Sequence, residues 1–440
     1  MDGQRTTIHP LSGIAPLPQF ELWSVPGTQI SVSKDIITDA RPLSALSASQ
    51  PIEFVVNSAI DEYINLGETY LYIKCRVKLT RDDKTAPTAA DWNTIVPAQY
   101  FLHSMFSQCD VKIGDKEVTQ SPQTYHYKAF IEALLGFTSS AKKTFLRASL
   151  WTKTNAERAK IITAQEGTSY ATHGKWFEMM GRLHIDLAFQ EKFLIGGSEV
   201  KIKLNPNDPK VYFQAGEGLR PELELSEVVL KVHKAKVTPT LVSAHLPALA
   251  DNPARYAITR TEVRYQGIPQ GQLDAMLENV IRGQVPRRII VALVDTTTFN
   301  GNYTLDPFYF KHFDVNFIAA YLDGVQYPST PFTPDFTNSL YTREYMELFC
   351  ALNQNRSDTY TDLDMDTYAN GKTMFAFDFS PDLSNGPGAS GHVNCITRGT
   401  LRLHFRFKSQ LTQPVNVLIY CEFDNMIEVD VTRNARTNFN

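Results

Sequence analysis

The residues of this 440-residue chain best suited to hold a metal or move a proton are its ten histidines. They stand at His9, His103, His126, His173, His184, His233, His245, His312, His392 and His404, and no two lie two apart. Metal enzymes on double-stranded β-barrels cluster imidazoles, commonly as His-x-His, so that chemistry is not indicated. Asp362-x-Asp364-x-Asp366 resembles the opening of a calcium loop. However, Thr367 occupies the position that needs glycine, and Thr373 the one that needs a bidentate Glu. A solvated acidic loop is the expected reading. The pair Gly216-x-Gly218 lacks a third glycine and a preceding strand, and no phosphate loop, Gly-x-Ser-x-Gly elbow or His-Glu-x-x-His occurs. Glu422, Asp424, Glu428 and Asp430 alternate as the polar face of a strand would, and nothing marks two of them as a glycosidase pair. Cys75, Cys109, Cys350, Cys395 and Cys421 are odd in number and contain no Cys-x-x-Cys, which suggests buried, reduced thiols in a cytosolic or nuclear compartment. The sequence therefore assigns no catalytic, cofactor-binding or metal-ligating residue.

What remains is a pattern of strands. In Leu401–Lys408, Leu401, Leu403, Phe405 and Phe407 alternate with Arg402, His404, Arg406 and Lys408, which predicts a strand with one buried and one wet face. Arg182–Gln190 alternates likewise, with Leu183, Ile185, Leu187 and Phe189 inward and His184 and Asp186 outward. Both stretches contain Arg-Leu-His, 220 residues apart by number, at 182–184 and 402–404. Other elements recur at a similar offset. Tyr125–Leu135 is a predicted helix stopped by Gly136, matched by Leu340–Leu352. Before each, a strand enters a turn and then a proline: Phe106–Pro122 around Gly114, and Phe313–Pro328 around Asp323-Gly324. Tyr70–Leu79 matches Arg287–Asp295, and Glu222–Val237 matches Val415–Val429. The order suggests a duplicated domain.

The length exceeds what one hydrophobic core usually supports, so two domains are expected. Phe and Tyr in short apolar runs, punctuated by proline and glycine, favour an all-β class. The expected layout is an N-terminal arm over 1–50, a first jelly-roll β-sandwich over 51–238 and a linker over 239–254. A second jelly roll follows over 255–430 and a tail over 431–440. Short helices lie in the loops, and polar insertions at 138–175, 328–367 and 380–391 are expected on the surface. In the arm, Phe20, Leu22 and Trp23 are candidate anchors against another body.

Net charge is −4, so no broad basic field draws nucleic acid. Lys231–Lys236 and Arg287-Arg288 are expected on a solvated strand face and at a strand end. No secretory signal is recognised, and the sequons at Asn302 and Asn355 are expected to stay unmodified. The apolar runs Ile289–Val294 and Phe317–Leu322 are too short to span a membrane.

Several segments carry a family resemblance. They are Phe20–Ile30, Tyr63–Tyr72, Ser121–Tyr127, Phe299-Asn300-Gly301, Pro307–Phe313, Tyr368-Ala369-Asn370-Gly371, Arg398-Gly399 and Val415–Glu428. In these, and across roughly 20–430, the chain resembles the hexon-like major capsid proteins of Maverick/Polinton elements and adintoviruses. It departs at Asn65, where Asp is more usual, and carries no distinctive C-terminal extension. The resemblance implies a non-enzymatic, cofactor-free double jelly roll whose homotrimers form pseudo-hexameric capsomers of an icosahedral shell. It also implies neighbouring capsomers and a single jelly-roll penton protein as partners, no sequence-specific nucleic-acid contact, and a place in the virion capsid after assembly in nucleus or cytoplasm. The alternative is a secreted two-domain β-sandwich that hydrolyses or binds glycans. It would need converging carboxylates or an exposed aromatic platform.

Overall fold

A computed structural model describes residues 11, 17–119, 123–162, 174–355, 361–384 and 391–437. Among the described residues, eight strands build the two main sheets of each half, and a short pair, Val96–Pro97 with Phe213–Gln214, is added in the first. In the first half they are β1 (Val32–Ala40), β2 (Ile52–Asn57), β3 (Glu62–Arg81), β4 (Phe106–Ile113), β5 (Lys116–Glu117), β6 (Phe177–Arg182), β7 (Glu199–Pro206) and β8 (Leu219–Val237). The second half repeats them as β9 (Ala254–Ile268), β10 (Asp274–Gln284), β11 (Arg288–Asp295), β12 (Val315–Leu322), β13 (Val325–Phe332), β14 (Met374–Asp378), β15 (Arg398–Phe407) and β16 (Val415–Val429).

The sheet orders are β1-β8-β3-β6 and β2-β7-β4-β5 in the first half, and β9-β16-β11-β14 and β10-β15-β12-β13 in the second. Every strand in one list has its counterpart eight places on in the other, and all these neighbours are antiparallel. Two four-stranded sheets joined in this order form a jelly roll, so the chain is a double jelly roll. The helix in each half falls at the same crossover: α1 (Tyr125–Gly136) between β5 and β6, and α3 (Thr342–Ala351) between β13 and β14. Between the rolls lies α2 (Pro239–Asp251), whose proline at the first turn suits a helix start.

Local chemistry explains the turns. Asp323 and Gly324 both take positive φ, 48° and 87°, the geometry of a tight hairpin whose twist matches its strands. The Asp323 carboxylate also accepts the Thr400 N–H at 2.8 Å and so ties the hairpin to β15. Strand β15 buries Leu401, Leu403, Phe405 and Phe407, as its alternation predicts.

The structure corrects several expectations. Arg182–Gln190 is not a strand. The ladder ends at Arg182, and Asp186–Phe189 forms a 3-10 turn. His184 and Asp186 are buried there, while Phe189 is 46% exposed. The counterpart of β15 is β7, so the shared Arg-Leu-His tripeptide joins unlike places in the two rolls. The stretch 1–50 contains β1, which pairs with β8 from Val32↔Val237 to Ala40↔Leu230. The stretch 239–254 is largely helix. The stretch 431–440 contains β17 (Ala435–Thr437), paired with β16. The 138–175 insertion, described over 138–162 and 174–175, is not only surface, because Leu146, Leu150, Trp151 and Ile161 are buried. Residues 385–390 of the later loop, His9, His173 and Pro122 lie outside the described residues. Cys75, Cys109 and Cys421 are buried, whereas Cys350 and Cys395 are exposed; all five are free thiols.

Candidate functional site: the seam between the rolls

A strand wet on one face alternates; a strand covered on both does not. Strand β11 is buried at all eight positions, and β16 is buried from Val415 to Asn425. The side chains of Ile289, Val291, Leu293, Val417 and Ile419 belong to the second roll's internal core. Those of Ile290, Ala292, Val294, Leu418 and Tyr420 join a continuous core that runs into the first roll. This sheet is therefore a shared wall, and the run Ile289–Val294 is its sequence signature.

Helix α1 lies against that wall. Nine of its residues are buried, far more than a surface helix with one apolar stripe would show. Phe130 stacks on Phe308 with centroids 4.4 Å apart and on Trp151 at 5.5 Å, and Tyr127 stacks on Phe299 at 5.7 Å. At the helix start, the Thr124 hydroxyl donates to the Val263 carbonyl of β9 at 2.9 Å.

Burying polar groups in such a seam requires that they satisfy one another. The Lys128 ammonium sits 2.6 Å from Asp186, and Asp186 also accepts the Thr261 hydroxyl at 2.8 Å. Glu132 lies 2.6 Å from His184 Nδ1, accepts from Thr261 at 3.0 Å and meets the Tyr420 hydroxyl at 3.4 Å. Burial alone would raise the Glu132 carboxyl, but Lys128 and the His184 hydrogen bond hold it below its ordinary value. His184 also meets the Tyr100 hydroxyl through Nε2 at 2.8 Å. The neighbouring His103 is pushed well below its ordinary value by burial and then by His184. His184, expected on an outward face, is thus a buried member of an inter-roll network. His404 does lie on the outer side of β15, hydrogen-bonded to Asp274 at 3.0 Å.

Farther along the wall, one oxygen of Glu422 lies 2.6 Å from both Arg287 and Arg288, and Asp424 lies 2.9 Å from Arg287. Arg288 also donates to the Ala351 carbonyl at the end of α3 at 2.5 Å. Arg287-Arg288 is therefore a buried clamp rather than a solvated strand end, and Glu422 and Asp424 are its counter-charges rather than an outward polar face. The basic spot Lys231–Lys236 is likewise neutralised. Lys231 pairs with Asp39 at 3.3 Å, Lys234 with Glu62 at 3.3 Å, and Lys236 with Asp61 at 3.1 Å. Arg260 and Glu262 pair in the same wall, and burial lowers the Arg260 guanidinium to about 10.

Two lysines bridge the rolls. Lys142 reaches Asp362 at 2.8 Å and the Leu134 carbonyl at 2.6 Å, while Asp364 caps a short helix at Met365–Ala369. The acidic triplet is thus partly a lysine anchor and partly a helix cap. Lys372 meets Gln99 at 2.8 Å and the Phe308 carbonyl at 2.5 Å, under the faces of Phe130 and Phe310. Burial lowers its ammonium to about 7. At the far end, the Asn434 side chain accepts from the Asp115 N–H at 3.3 Å, and a Cβ on Gly114 would collide with it. The seam can do little chemistry. What it does is fix two rolls in one orientation. The unbroken apolar run Ile289–Val294 is the signal that could have located it, but in the sequence it reads only as too short for a membrane span; no sequence signal marked the polar network.

No family model matches the sequence. The chain is 23% identical over 426 residues to the uncharacterized protein F54H12.2 of Caenorhabditis elegans, covering 93% of this chain and 98% of that protein. Its fold is similar to a chain of the Sputnik virophage structure, with a TM-score of 0.61 at 9% identity over 98% of this chain and 94% of that one. It is also similar to the Faustovirus major capsid protein, with a TM-score of 0.57 at 8% identity over 92% of each chain. The mavirus major capsid protein gives a TM-score of 0.51 at 10% identity over 98% of this chain and 97% of that one. What these neighbours share with the chain is the double jelly roll.

Proposed function

We propose that this protein is a major capsid protein of the Maverick/Polinton, adintovirus-like kind. It has no enzymatic role and works as a structural tile. Three copies associate into a capsomer of six jelly rolls with a pseudo-hexagonal outline. Capsomers then pack into an icosahedral shell, with a single jelly-roll protein at its vertices, and the protein resides in the virion capsid after assembly in host nucleus or cytoplasm.

The observation that carries this reading is the repeated roll itself. Two units of one topology, locked together by a buried seam, approximate two of six equal sectors, and closed symmetric assembly of three chains supplies the rest. The similarity to viral capsid proteins along nearly the whole chain supports it. The segment before β1 supports it further. Phe20, Leu22, Trp23 and Val25 are 69–88% exposed, a density of uncovered apolar side chains that marks an interaction site. In the proposal this arm is covered by a neighbouring copy, and the insertions at 138–175 and 328–367 form outer or intersubunit surfaces.

Light scattering tests the reading. A trimer has about 149 kDa, three times the 49.6 kDa of one chain. A stable trimer with a hexagonal outline by electron microscopy is expected, and a strict monomer at high concentration would overturn it. Deletion of residues 1–25 is expected to abolish shell assembly; unchanged assembly would remove the arm's role.

A further inference from the structure

Beside the ion network the seam opens into a cavity of about 400 Å³, with the partly exposed Phe189 at its mouth. Its size and its place between two domains are those of small-molecule sites. Its lining combines apolar side chains, Ile131, Leu135, Ile290 and Leu352, with charged ones, Glu132, Asp186, Glu422, Arg288 and Arg182.

The charges in the lining are not equivalent. Glu132 is engaged by His184, Asp186 by Lys128, and Glu422 by Arg287 and Arg288. Arg182 differs. It meets the Tyr70 hydroxyl and the face of Phe189, 5.7 Å away, but no carboxylate within ion-pair distance among the described residues. Gln354, which also lines the cavity, is held in place by donating its NH2 to the Leu135 carbonyl at 2.8 Å.

We propose that this cavity binds a single-chain amphiphile with one carboxylate head. The head lies on the Arg182 guanidinium, and the chain lies along Ile131, Leu135, Ile290 and Leu352. A guanidinium presents a planar fork that matches a carboxylate, which a neutral or cationic head could not use. A cationic amphiphile would find every carboxylate of the lining already engaged. The proposal is independent of the capsid reading, because it concerns a cavity within one chain.

The test is isothermal titration of the full-length protein with decanoate below its micelle concentration, with decylamine as the control. Saturable binding at one site per chain is expected for decanoate and none for decylamine. Arg182→Gln, at the mouth of the cavity, is expected to weaken decanoate about tenfold or more, the loss of one charge-assisted contact. Thr259→Trp, at a half-buried lining position, is expected to abolish binding by filling the space. Circular dichroism checks that each variant keeps its fold; should Thr259→Trp misfold, Arg182→Gln decides. Absence of saturable decanoate binding, or an Arg182→Gln affinity within about twofold of the parent, overturns the proposal.

Discussion

Two glutamates on β16, six residues apart, make ion pairs of similar length in unlike surroundings. Glu422 lies 2.6 Å from Arg287 and Arg288, with all three side chains at most 9% exposed. Glu428 lies 3.0 Å from Arg255, with the two side chains 34% and 55% exposed. Coulomb's law would treat them alike; desolvation does not. Removing one partner of a buried pair strands charge away from water and costs about 3–5 kcal/mol. Removing an exposed one costs about 0–1 kcal/mol, because water and salt already screen it. Arg287 keeps Asp424, which places Glu422→Gln near the lower end, at about 3 kcal/mol. Glu428→Gln is expected to change stability by less than about 1 kcal/mol. Urea unfolding followed by tryptophan fluorescence, at one fixed protein concentration, reads both values. The double change Arg288→Met with Glu422→Leu is expected to recover much of the loss, since apolar replacements of a buried pair are often neutral. If Glu422→Gln falls within about 1 kcal/mol of Glu428→Gln, the seam is not a dry clamp and the reasoning fails.

Three further outcomes follow from the same geometry. Phe130→Ala removes a fully buried ring stacked between Phe308 and Trp151, and is expected to cost about 3–5 kcal/mol in the same assay. Lys372, lowered to about 7 in the folded chain, binds its proton more weakly than when unfolded, so its contribution to stability rises with pH from about 7 to the ordinary lysine range. Comparing unfolding of the parent and Lys372→Met across that window should show the difference growing by about 1 kcal/mol per pH unit; a flat difference would count against the buried ammonium. A thiol reagent added to the native protein should modify the exposed Cys350 and Cys395 rapidly, and the buried Cys75, Cys109 and Cys421 only after denaturation. Fast reaction at all five would contradict the packing of both cores.

Much of the fold was legible because its strands obey one local rule. Leu401–Phe407 alternates, and its apolar residues are buried as predicted. Asp323-Gly324 announces a hairpin whatever surrounds it. The same rule misled at Arg182–Gln190, where the alternation continues although the chain has left the sheet. There, tertiary partners override the pattern, because Asp186 and His184 turn inward to Lys128 and Glu132. β1 escaped notice in Val32–Ala40, since an edge strand mostly open to solvent lacks a strong apolar period. The seam lay beyond local reading for another reason. Arg287-Arg288 looks like any solvated basic pair until Glu422 and Asp424, more than 130 residues away, are brought beside it.

The wall shared by the two rolls has a consequence for how the chain is made. During synthesis the first roll can close its ladders once β8 is complete at Val237. The outer faces of β11 and β16, which cover α1, are not finished until Val429. At typical rates of about 5–20 residues per second, that interval is roughly 10–40 s. Through it, Phe130 and its apolar neighbours on α1 wait without their cover, a long exposure for a sticky surface emerging from the ribosome. A first half released on its own would stay in that state permanently. The doubled roll is thus a single cooperative commitment: either the whole chain is delivered, or a half-made product is exposed to aggregation and to chaperones.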